Sequence, residues 1–207
     1  DLPGYADGFF SVQDAAMLTP VRLMTLQKAD RVLDACAAPG GKTMLIAEKL
    51  GAGGRLTAME RYKDRIVELK ENLARMKFVN VDVVVGDTAA PSASLREKQF
   101  DRILADAPCT NTGVLRRRAD ARWRFSAERL AELCATQRAI LDGLAPCLRP
   151  GGVLVYSVCS LEEEEGPGLV RDWLKTHPEF SFNREIALFP PETQTDGMYS
   201  VRLIKRE

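Results

Sequence analysis

Two cysteine residues lie where chemistry is expected, because each closely follows an apolar run that is typical of a buried strand. Cys109 ends the segment Asp106-Ala-Pro-Cys, and Cys159 lies in Ser157-Val-Cys-Ser160. In an open sheet of parallel strands, the carboxyl ends of the strands border the crevice in which ligands bind. A thiol in that crevice becomes a nucleophile if its pKa falls from about 8.5 toward neutrality. The two cysteines are therefore candidates for covalent catalysis.

A glycine-rich turn offers a second chemical feature. Asp34-Ala-Cys-Ala-Ala-Pro-Gly-Gly-Lys-Thr43 joins the first predicted strand to a helix. Its small residues let the backbone approach a ligand closely, and the start of the helix supplies unpaired N–H groups. One interpretation is a P-loop, although Cys36 replaces its first glycine, with Asp106 as a magnesium ligand. The other is a nucleoside-binding turn of the Rossmann type.

Acidic residues at the ends of four predicted strands help to choose between these interpretations. They are Asp34, Glu60, Asp87 and Asp106. Glu60 lies about 20 residues beyond the turn, where a Rossmann-like site places the acceptor for ribose hydroxyls. Four carboxylates suit a cofactor with hydroxyl and amino groups but would repel a triphosphate. The pattern favours S-adenosylmethionine over ATP.

A basic segment lies between the two cysteines. It consists of Arg116, Arg117, Arg118 and Arg122, with Trp123 beside them. Arginine side chains bind phosphates and an aromatic ring stacks on bases, so the segment predicts RNA binding. The alternative is that it is an ordinary solvated stretch of the surface. The whole chain has 29 basic and 29 acidic residues, which argues against a nucleic-acid binder that uses its entire surface. A non-catalytic RNA-binding module remains an alternative to an enzyme.

Cysteine and histidine usage excludes several classes of protein. The 207 residues include five cysteines without a C-x-x-C pair, and the one histidine is His177. Zinc clusters, a disulfide framework and a histidine-based triad are therefore poorly supported, and we expect no metal. Cys134 and Cys147, on a predicted long helix, are interpreted as inert core. The thiols suit a reducing cytoplasm, and no apolar run approaches the ~20 residues of a membrane span.

Alternating strand and helix patterns must position these residues. Strands are predicted at residues 31–35, 55–59, 81–85, 100–105, 153–157, 180–182 and 198–204. Helices are predicted at residues 42–50, 62–76, 126–148 and 169–175, with residues 149–152 ending the third. This order indicates an α/β fold, a mostly parallel seven-stranded sheet with helices on both faces. Residues 1–28 are predicted to be a helical lead-in packed on a catalytic domain at 29–207, and Glu162 to Glu165 are expected to face solvent.

Six segments carry a resemblance to a known family. They are Ser11-Val-Gln-Asp14, Asp34 to Lys42, Asp106-Ala-Pro-Cys109, Ala119-Asp-Ala-Arg-Trp123, Ser157-Val-Cys-Ser160 and Asp196-Gly197. With them the chain resembles the Sun/Nop-type RNA cytosine-C5 methyltransferases, close to their bacterial ribosomal RNA branch. The resemblance implies a Rossmann-like class I S-adenosylmethionine-dependent methyltransferase. Relatives in this branch also have an N-terminal helical RNA-binding domain, so we expect a catalytic domain without it.

The resemblance also implies a role for each matching position. Cys36, Ala37, Ala38, Pro39, Gly40, Gly41, Lys42, Glu60, Asp87 and Asp106 would bind S-adenosylmethionine. Cys159 would be the nucleophile that adds to C6 of cytosine, Cys109 would assist breakdown of the adduct, and Asp106 would contact the target base. The implied substrate is RNA, with 16S-type ribosomal RNA favoured over tRNA, and we expect the enzyme to be a cytoplasmic monomer. Where relatives usually have Ser-Gly after the first cysteine, this chain has Thr110-Asn111.

Overall fold

A seven-stranded sheet forms the centre of the protein, as predicted. The computed structural model describes residues 2–51 and 53–207. The strands are β1 (Arg31–Asp34), β2 (Arg55–Glu60), β3 (Val81–Val85), β4 (Phe100–Asp106), β5 (Leu148–Val158), β6 (Phe180–Leu188) and β7 (Met198–Lys205). Their order in the sheet is β3-β2-β1-β4-β5-β7-β6, and β7 runs antiparallel to the other six strands. The Rossmann-like class I fold is thereby confirmed.

The strand order determines where ligands can bind. The chain places β2 and β3 on one side of β1 and then crosses to β4 and β5 on the other side. The loops after β1 and β4 consequently diverge and leave a crevice at the carboxyl ends of these two strands. Residues 35–40 and 107–111 follow β1 and β4, so the sheet brings the glycine-rich turn and Cys109 to one edge.

Helices cover both faces of the sheet. They are α1 (Leu18–Leu23), α2 (Gly41–Leu50), α3 (Lys63–Arg75), α4 (Ala93–Glu97), α5 (Ala121–Arg124), α6 (Ala127–Leu144), α7 (Pro167–Thr176) and α8 (Pro190–Thr193). Ser126 caps α6 as predicted, since its hydroxyl accepts a hydrogen bond from the backbone N–H of Arg129 at 3.1 Å. No helix in the described part of the chain is long and apolar enough to cross a membrane.

The lead-in is less helical than predicted. Only a 3₁₀ turn (Ala15–Met17) and α1 are helical; residues 2–14 form turns and extended chain, and Asp1 lies outside the described residues. Gly4 and Gly8 have φ angles of 83° and 75°, which are incompatible with a right-handed helix. Val21 and Met24 are buried in one hydrophobic cluster with Val32 of β1, so this segment packs on the sheet.

Two further expectations are wrong at element boundaries. Residues 149–152 do not end α6, because the helix already stops at Leu144, ahead of Pro146, which has no N–H to continue it. Residues 149–152 lie within β5 instead and bulge out, since Phe100 pairs with Leu148 but Arg102 pairs with Val153. In addition, β6 extends well beyond the predicted residues 180–182. Its middle positions are exposed at the sheet edge and show no apolar pattern.

Candidate active site

A cavity of about 730 Å³ lies at the carboxyl ends of β1, β2, β4 and β5. Of the predicted site residues, it is lined by Cys36, Ala37, Ala38, Pro39, Gly41, Lys42, Glu60, Asp87, Asp106, Cys109, Arg117, Arg118 and Cys159. Gly40, Arg116, Arg122 and Trp123 are not part of the lining. The fold therefore brings both cysteines, the glycine-rich turn and the strand-end acids to one cavity, large enough for a nucleoside-sized ligand.

The glycine-rich turn is held from outside by side chains of α3 and the lead-in. Asn72 donates to the carbonyl of Pro39 at 3.0 Å, and Gln13 donates to the carbonyl of Gly41 at 3.1 Å. Gly40 precedes α2 with a φ of 107°, and a Cβ there would approach Leu69 Cδ1 to 2.8 Å. Gly40 is therefore needed for the shape of the turn. Gln13, which sequence reasoning did not assign to the site, also lines the cavity.

Lys42 forms an ion pair inside the cavity. Its Nζ lies 2.6 Å from Asp106 Oδ2 and 3.1 Å from Met17 Sδ, and its side chain is buried. A P-loop lysine must instead direct its charge to the phosphates of a nucleotide. Because Asp106 already neutralises the Lys42 ammonium, this geometry argues against the P-loop interpretation.

Within residues 2–51 and 53–207, no three acidic, cysteine or histidine side chains are grouped so that they could hold a metal ion.

Glu60 has the geometry expected of a ribose acceptor. Its Oε1 accepts hydrogen bonds from the backbone N–H groups of Arg61 (2.9 Å) and Tyr62 (3.1 Å). Its Oε2 is buried and lies 3.2 Å from Arg65 Nη1, yet it accepts no hydrogen bond from the described residues. A buried carboxylate oxygen on a cavity wall requires a donor, and ribose hydroxyls are suitable donors. The residues present thus fit the adenosine part of S-adenosylmethionine.

Asp34 and Asp87 occupy different environments at the same edge. Asp34 is buried and accepts a hydrogen bond from the Thr43 hydroxyl at 2.7 Å. Burial raises the pKa of Asp34 to about 7. Asp87 is more exposed, and its Oδ1 accepts a hydrogen bond from Ala89 N at 3.0 Å. Of these two carboxylates, Asp87 is therefore the more accessible to a ligand, while Asp34 holds the first turn of α2 through Thr43.

The sulfur atoms of Cys109 and Cys159 lie 3.2 Å apart. Cys159 is partly exposed and its thiol also donates to Asn111 Oδ1 at 3.1 Å, whereas Cys109 is buried with 8% of its surface exposed. The hydrogen bond with Cys159, together with burial, raises the pKa of Cys109 well above its usual value. Cys109 is therefore held as a thiol, and Cys159 is the more accessible of the two sulfur atoms.

The other three cysteines are poor nucleophile candidates. Burial raises the pKa of Cys36 to about 12 and that of Cys147 to about 11. Cys134 lies on α6 and donates its thiol hydrogen to the carbonyl of Glu164 at 3.2 Å. Neither Cys134 nor Cys147 lines the cavity, which agrees with their interpretation as structural residues.

The expectation that Glu162 to Glu165 all face solvent is wrong for Glu165. The Glu165 side chain is fully buried, and it accepts hydrogen bonds from Thr110 and Gln137. Nothing in the sequence distinguishes this glutamate from the three that precede it, since its partners come from the loop after β4 and from α6.

The basic segment is divided between internal ion pairs and free surface. Arg116 and Arg117 both bind Asp14 and Asp196; the Arg117 Nη2 to Asp14 distance and the Arg117 Nε to Asp196 distance are each 2.9 Å. Trp123 is 83% exposed, and Arg118 and Arg122 are exposed without a carboxylate partner among the described residues. Half of the predicted RNA-binding arginines therefore also tie the lead-in to the loop before β7.

The ion-pair cluster around Asp14 should make stability depend on pH. Burial alone would raise the pKa of Asp14, but hydrogen bonds from the backbone N–H groups of Ala16 and Asp196 and from the Arg117 side chain, with the charge of Arg116, hold this pKa at about 2. A carboxyl whose folded-state pKa lies below its unfolded value near 3.8 stabilises the fold above about pH 4 and loses this effect as the pH falls toward 2. Asp14→Asn is therefore expected to lower the free energy of unfolding by about 1 kcal/mol at pH 7 and by less at pH 3.

Urea unfolding of Asp14→Asn at the two pH values tests this expectation. The matched control is Asp120→Asn, which breaks the exposed ion pair with Arg124 and should change stability by less than about 0.5 kcal/mol. Equal losses of stability for Asp14→Asn at pH 7 and pH 3 would contradict the assignment.

Comparison with known proteins agrees with this geometry. Residues 21–204 match the family described as 16S rRNA methyltransferase RsmB/F. The chain is 40% identical over 212 residues to ribosomal RNA small subunit methyltransferase B of Cronobacter sakazakii, and 38% identical over 213 residues to that of Vibrio cholerae. Each alignment covers 99% of this chain, against 49% and 48% of the respective relatives, so the chain spans about half their length.

A solved structure is also similar along the whole chain. NSun6 from Pyrococcus horikoshii with SFG, an S-adenosylmethionine analogue, superposes with a TM-score of 0.89 at 29% identity, covering 100% of this chain and 56% of that one. A methyltransferase homolog protein from the same organism gives a TM-score of 0.81 at 27% identity, with 99% of this chain and 70% of the other covered. Since the match to the RsmB/F sequences extends over nearly every residue, the chain belongs to the RsmB/F family of 16S rRNA methyltransferases.

Proposed function

We propose that this chain carries the catalytic centre of an enzyme that transfers a methyl group from S-adenosylmethionine to C5 of a cytosine in 16S-type ribosomal RNA. The observation that carries the proposal is the pair of thiols, 3.2 Å apart, on the same cavity as a carboxylate suited to ribose. A simple methyl transfer to nitrogen or oxygen needs no thiol. Carbon 5 of cytosine is a poor nucleophile, and a thiol that adds to C6 is a way to activate it.

Residues of the glycine-rich turn, with Glu60 and Asp87, would hold the cofactor. S-adenosylmethionine supplies an electrophilic methyl group on a sulfonium sulfur. Glu60 Oε2 would accept a hydrogen bond from a ribose hydroxyl, and Asp87, which also lines the cavity, would bind the adenine amino group. The small side chains of Ala37 and Ala38 leave space along the turn. This set of contacts favours the nucleoside interpretation over a nucleotide hydrolase.

The first half of the reaction is assigned to Cys159. Its thiolate sulfur would form a bond to C6 of the cytosine as the C5–C6 double bond breaks and its electron pair moves to C5. C5 would then bond to the methyl carbon, the bond from that carbon to the sulfonium sulfur would break, and S-adenosylhomocysteine would leave. The target base must leave its stack to enter the cavity. The proton that N3 of the activated ring gains is assigned to the Lys42 ammonium, which lies 2.6 Å from the Asp106 carboxylate and would pass the proton through that carboxylate to N3.

The second half of the reaction is assigned to Cys109. A base removes the C5 proton, the C5–C6 double bond forms again, and the bond between C6 and the Cys159 sulfur breaks. The departing sulfur carries negative charge, and a hydrogen bond from a neighbouring thiol makes it a better leaving group. Cys109 is held as a thiol 3.2 Å from that sulfur, so it is placed to donate this hydrogen bond.

RNA contact is assigned to Arg118, Arg122 and Trp123, which are exposed. Arg116 and Arg117 would add positive charge near phosphates while they keep their internal ion pairs. We propose a monomeric enzyme in the cytoplasm, where a reducing compartment would keep its two thiols from forming a disulfide.

Methylation of defined RNAs tests the proposal. The chain, with methyl-labelled S-adenosylmethionine and either 16S ribosomal RNA or tRNA, should place label on C5 of cytosine in the ribosomal RNA, as read by nucleoside mass spectrometry and bisulfite sequencing. Calorimetry should show binding of S-adenosylmethionine and none of ATP with magnesium. Label in tRNA alone would assign the tRNA substrate, and binding of ATP without S-adenosylmethionine would refute the methyltransferase assignment.

A further inference from the structure

Glu165 is a buried carboxylate that the reaction described above does not use. None of its surface is exposed, and it lies just before α7. Its Oε1 accepts from the backbone N–H of Thr110 at 3.0 Å and from Gln137 Nε2 at 2.8 Å, and its Oε2 accepts from the Thr110 hydroxyl. Burying a charge is costly unless hydrogen bonds compensate for it, and here three donors converge on one carboxylate. These three hydrogen bonds therefore compensate for the burial of the Glu165 carboxylate.

The partners of Glu165 lie directly beside both cysteines. Thr110 follows Cys109 in the chain, and the Thr110 hydroxyl is 3.1 Å from the hydroxyl of Ser160, which follows Cys159. Gln137 of α6, besides contacting Glu165, donates to the carbonyl of Pro108 at 2.9 Å, immediately before Cys109. One carboxylate thus connects both cysteine-bearing loops, although these loops are separated by about 50 residues of sequence.

The position of Glu165 itself is fixed by the sheet. The hydroxyl of Tyr156, in the interior of β5, donates to the backbone carbonyl of Glu165 at 2.6 Å. The short turn between β5 and α7 is therefore held against the strand that ends at the Cys159 loop. By contrast, a hydrogen bond between two thiols is weak and cannot by itself set the distance between the loops.

We propose that Glu165 is a positioning residue that, through Thr110, Ser160 and Gln137, sets the distance between the sulfur atoms of Cys109 and Cys159. The inference rests on the proposed function for its consequence in catalysis, but the distance itself can be measured separately. Hydrogen bonds to a buried carboxylate are about twice as strong as those between neutral groups, so the carboxylate is suited to hold two loops together. A misplacement of about 1 Å at a reacting group can cost about 10²-fold in rate.

Substitution by glutamine separates charge and hydrogen bonding from size. In Glu165→Gln, the amide N–H₂ faces donors that the carboxylate accepted, and at least one of these hydrogen bonds is lost. Thr110→Val removes the hydroxyl that joins Glu165 to Ser160 and keeps the shape of the side chain. Thr110→Ser retains that hydroxyl and should behave like the unmodified chain. Glu164→Gln, next to Glu165 but exposed, is the matched control.

Oxidation by diamide measures the distance between the sulfur atoms without any enzyme activity. Two thiols lose their hydrogens to the reagent, which is reduced to the hydrazine, and a disulfide between Cys109 and Cys159 forms; peptide mass spectrometry identifies that bond among the five cysteines. The rate should be about 10-fold lower in Glu165→Gln and Thr110→Val than in the unmodified chain. It should be unchanged in Thr110→Ser and Glu164→Gln.

Kinetics provide the second readout. In Glu165→Gln, kcat for cytosine methylation should fall about 10²-fold, while KM for RNA and the Kd for S-adenosylmethionine change less than about threefold. Unchanged oxidation rates in both Glu165→Gln and Thr110→Val would overturn the proposal, as would equal losses of cofactor affinity and kcat. If Glu165→Gln does not fold, the oxidation rate of Thr110→Val tests the proposal in its place. Slower oxidation in a chain that methylates no RNA would support the positioning role and refute the proposed function.

Discussion

Cys159→Ala is expected to abolish methyl transfer to cytosine, with kcat at least about 10⁴-fold below that of the unmodified chain. The substitution removes the only atom that can form the bond to C6, and no other thiol takes its place. Cys109 is the nearest sulfur, at 3.2 Å, but it is buried, and this burial still raises its pKa when the hydrogen bond to Cys159 is removed. Without addition to C6, C5 of cytosine does not become nucleophilic.

Transfer of radiolabel from S-adenosylmethionine to 16S ribosomal RNA measures this effect. Cys134→Ala is the matched control, because it removes a partly buried thiol on α6 that does not line the cavity. The control should retain activity within a few-fold of the unmodified chain. Binding of S-adenosylmethionine to Cys159→Ala should also be retained, since none of the assigned cofactor contacts lies on the Cys159 loop after β5. Cytosine methylation that persists in Cys159→Ala would refute covalent catalysis by this residue.

Cys109→Ala is expected to accumulate a covalent complex between protein and RNA, whereas Cys159→Ala should not form this complex. Cys159 remains present, so addition to C6 and methylation at C5 proceed. The departing Cys159 sulfur then lacks the thiol that lies 3.2 Å away, and release of the methylated product becomes slow. Turnover should fall by about 10²-fold or more, while a single methylation per chain is completed.

Denaturing gel electrophoresis with labelled RNA detects the trapped complex. The double variant Cys109→Ala/Cys159→Ala should form no complex, because the bond to C6 cannot be made. A complex in that double variant would mean that another residue is the nucleophile. Rapid product release by Cys109→Ala, without accumulation, would show that Cys109 has no part in the second half of the reaction. The two cysteine variants together therefore separate addition from elimination.

The buried network around Glu165 positions the two cysteines that these variants replace. Cys109 and Cys159 lie on different loops, and their separation depends on the hydrogen bonds of Thr110 and Ser160 to each other and of Thr110 to Glu165. Asn111 adds a contact to the Cys159 thiol at 3.1 Å and adopts a left-handed conformation, with a φ of 62°. The pair of sulfur atoms is thus held by neighbours that have no reactive role themselves.

Local sequence determined most of the elements and indicated most of the residues that meet at the cavity. Strand β3 and the turn from Asp34 to Thr43 have short-range signatures, an apolar run and small residues before a helix, and both lie where they were predicted. Because parallel strands place their carboxyl ends at one edge, the strand-end residues Glu60 and Asp106 could also be assigned to one site.

Tertiary structure alone decided the contacts between distant segments. The ion pair of Lys42 with Asp106 joins residues 64 positions apart, and those of Arg116 with Asp14 and Asp196 span 102 and 80 positions. Glu165 differs from Glu164 only in where the chain places it: one is buried among three donors and the other is in solvent. The charge of a side chain follows from its residue type, but its partners and its desolvation depend on which loops the fold brings together.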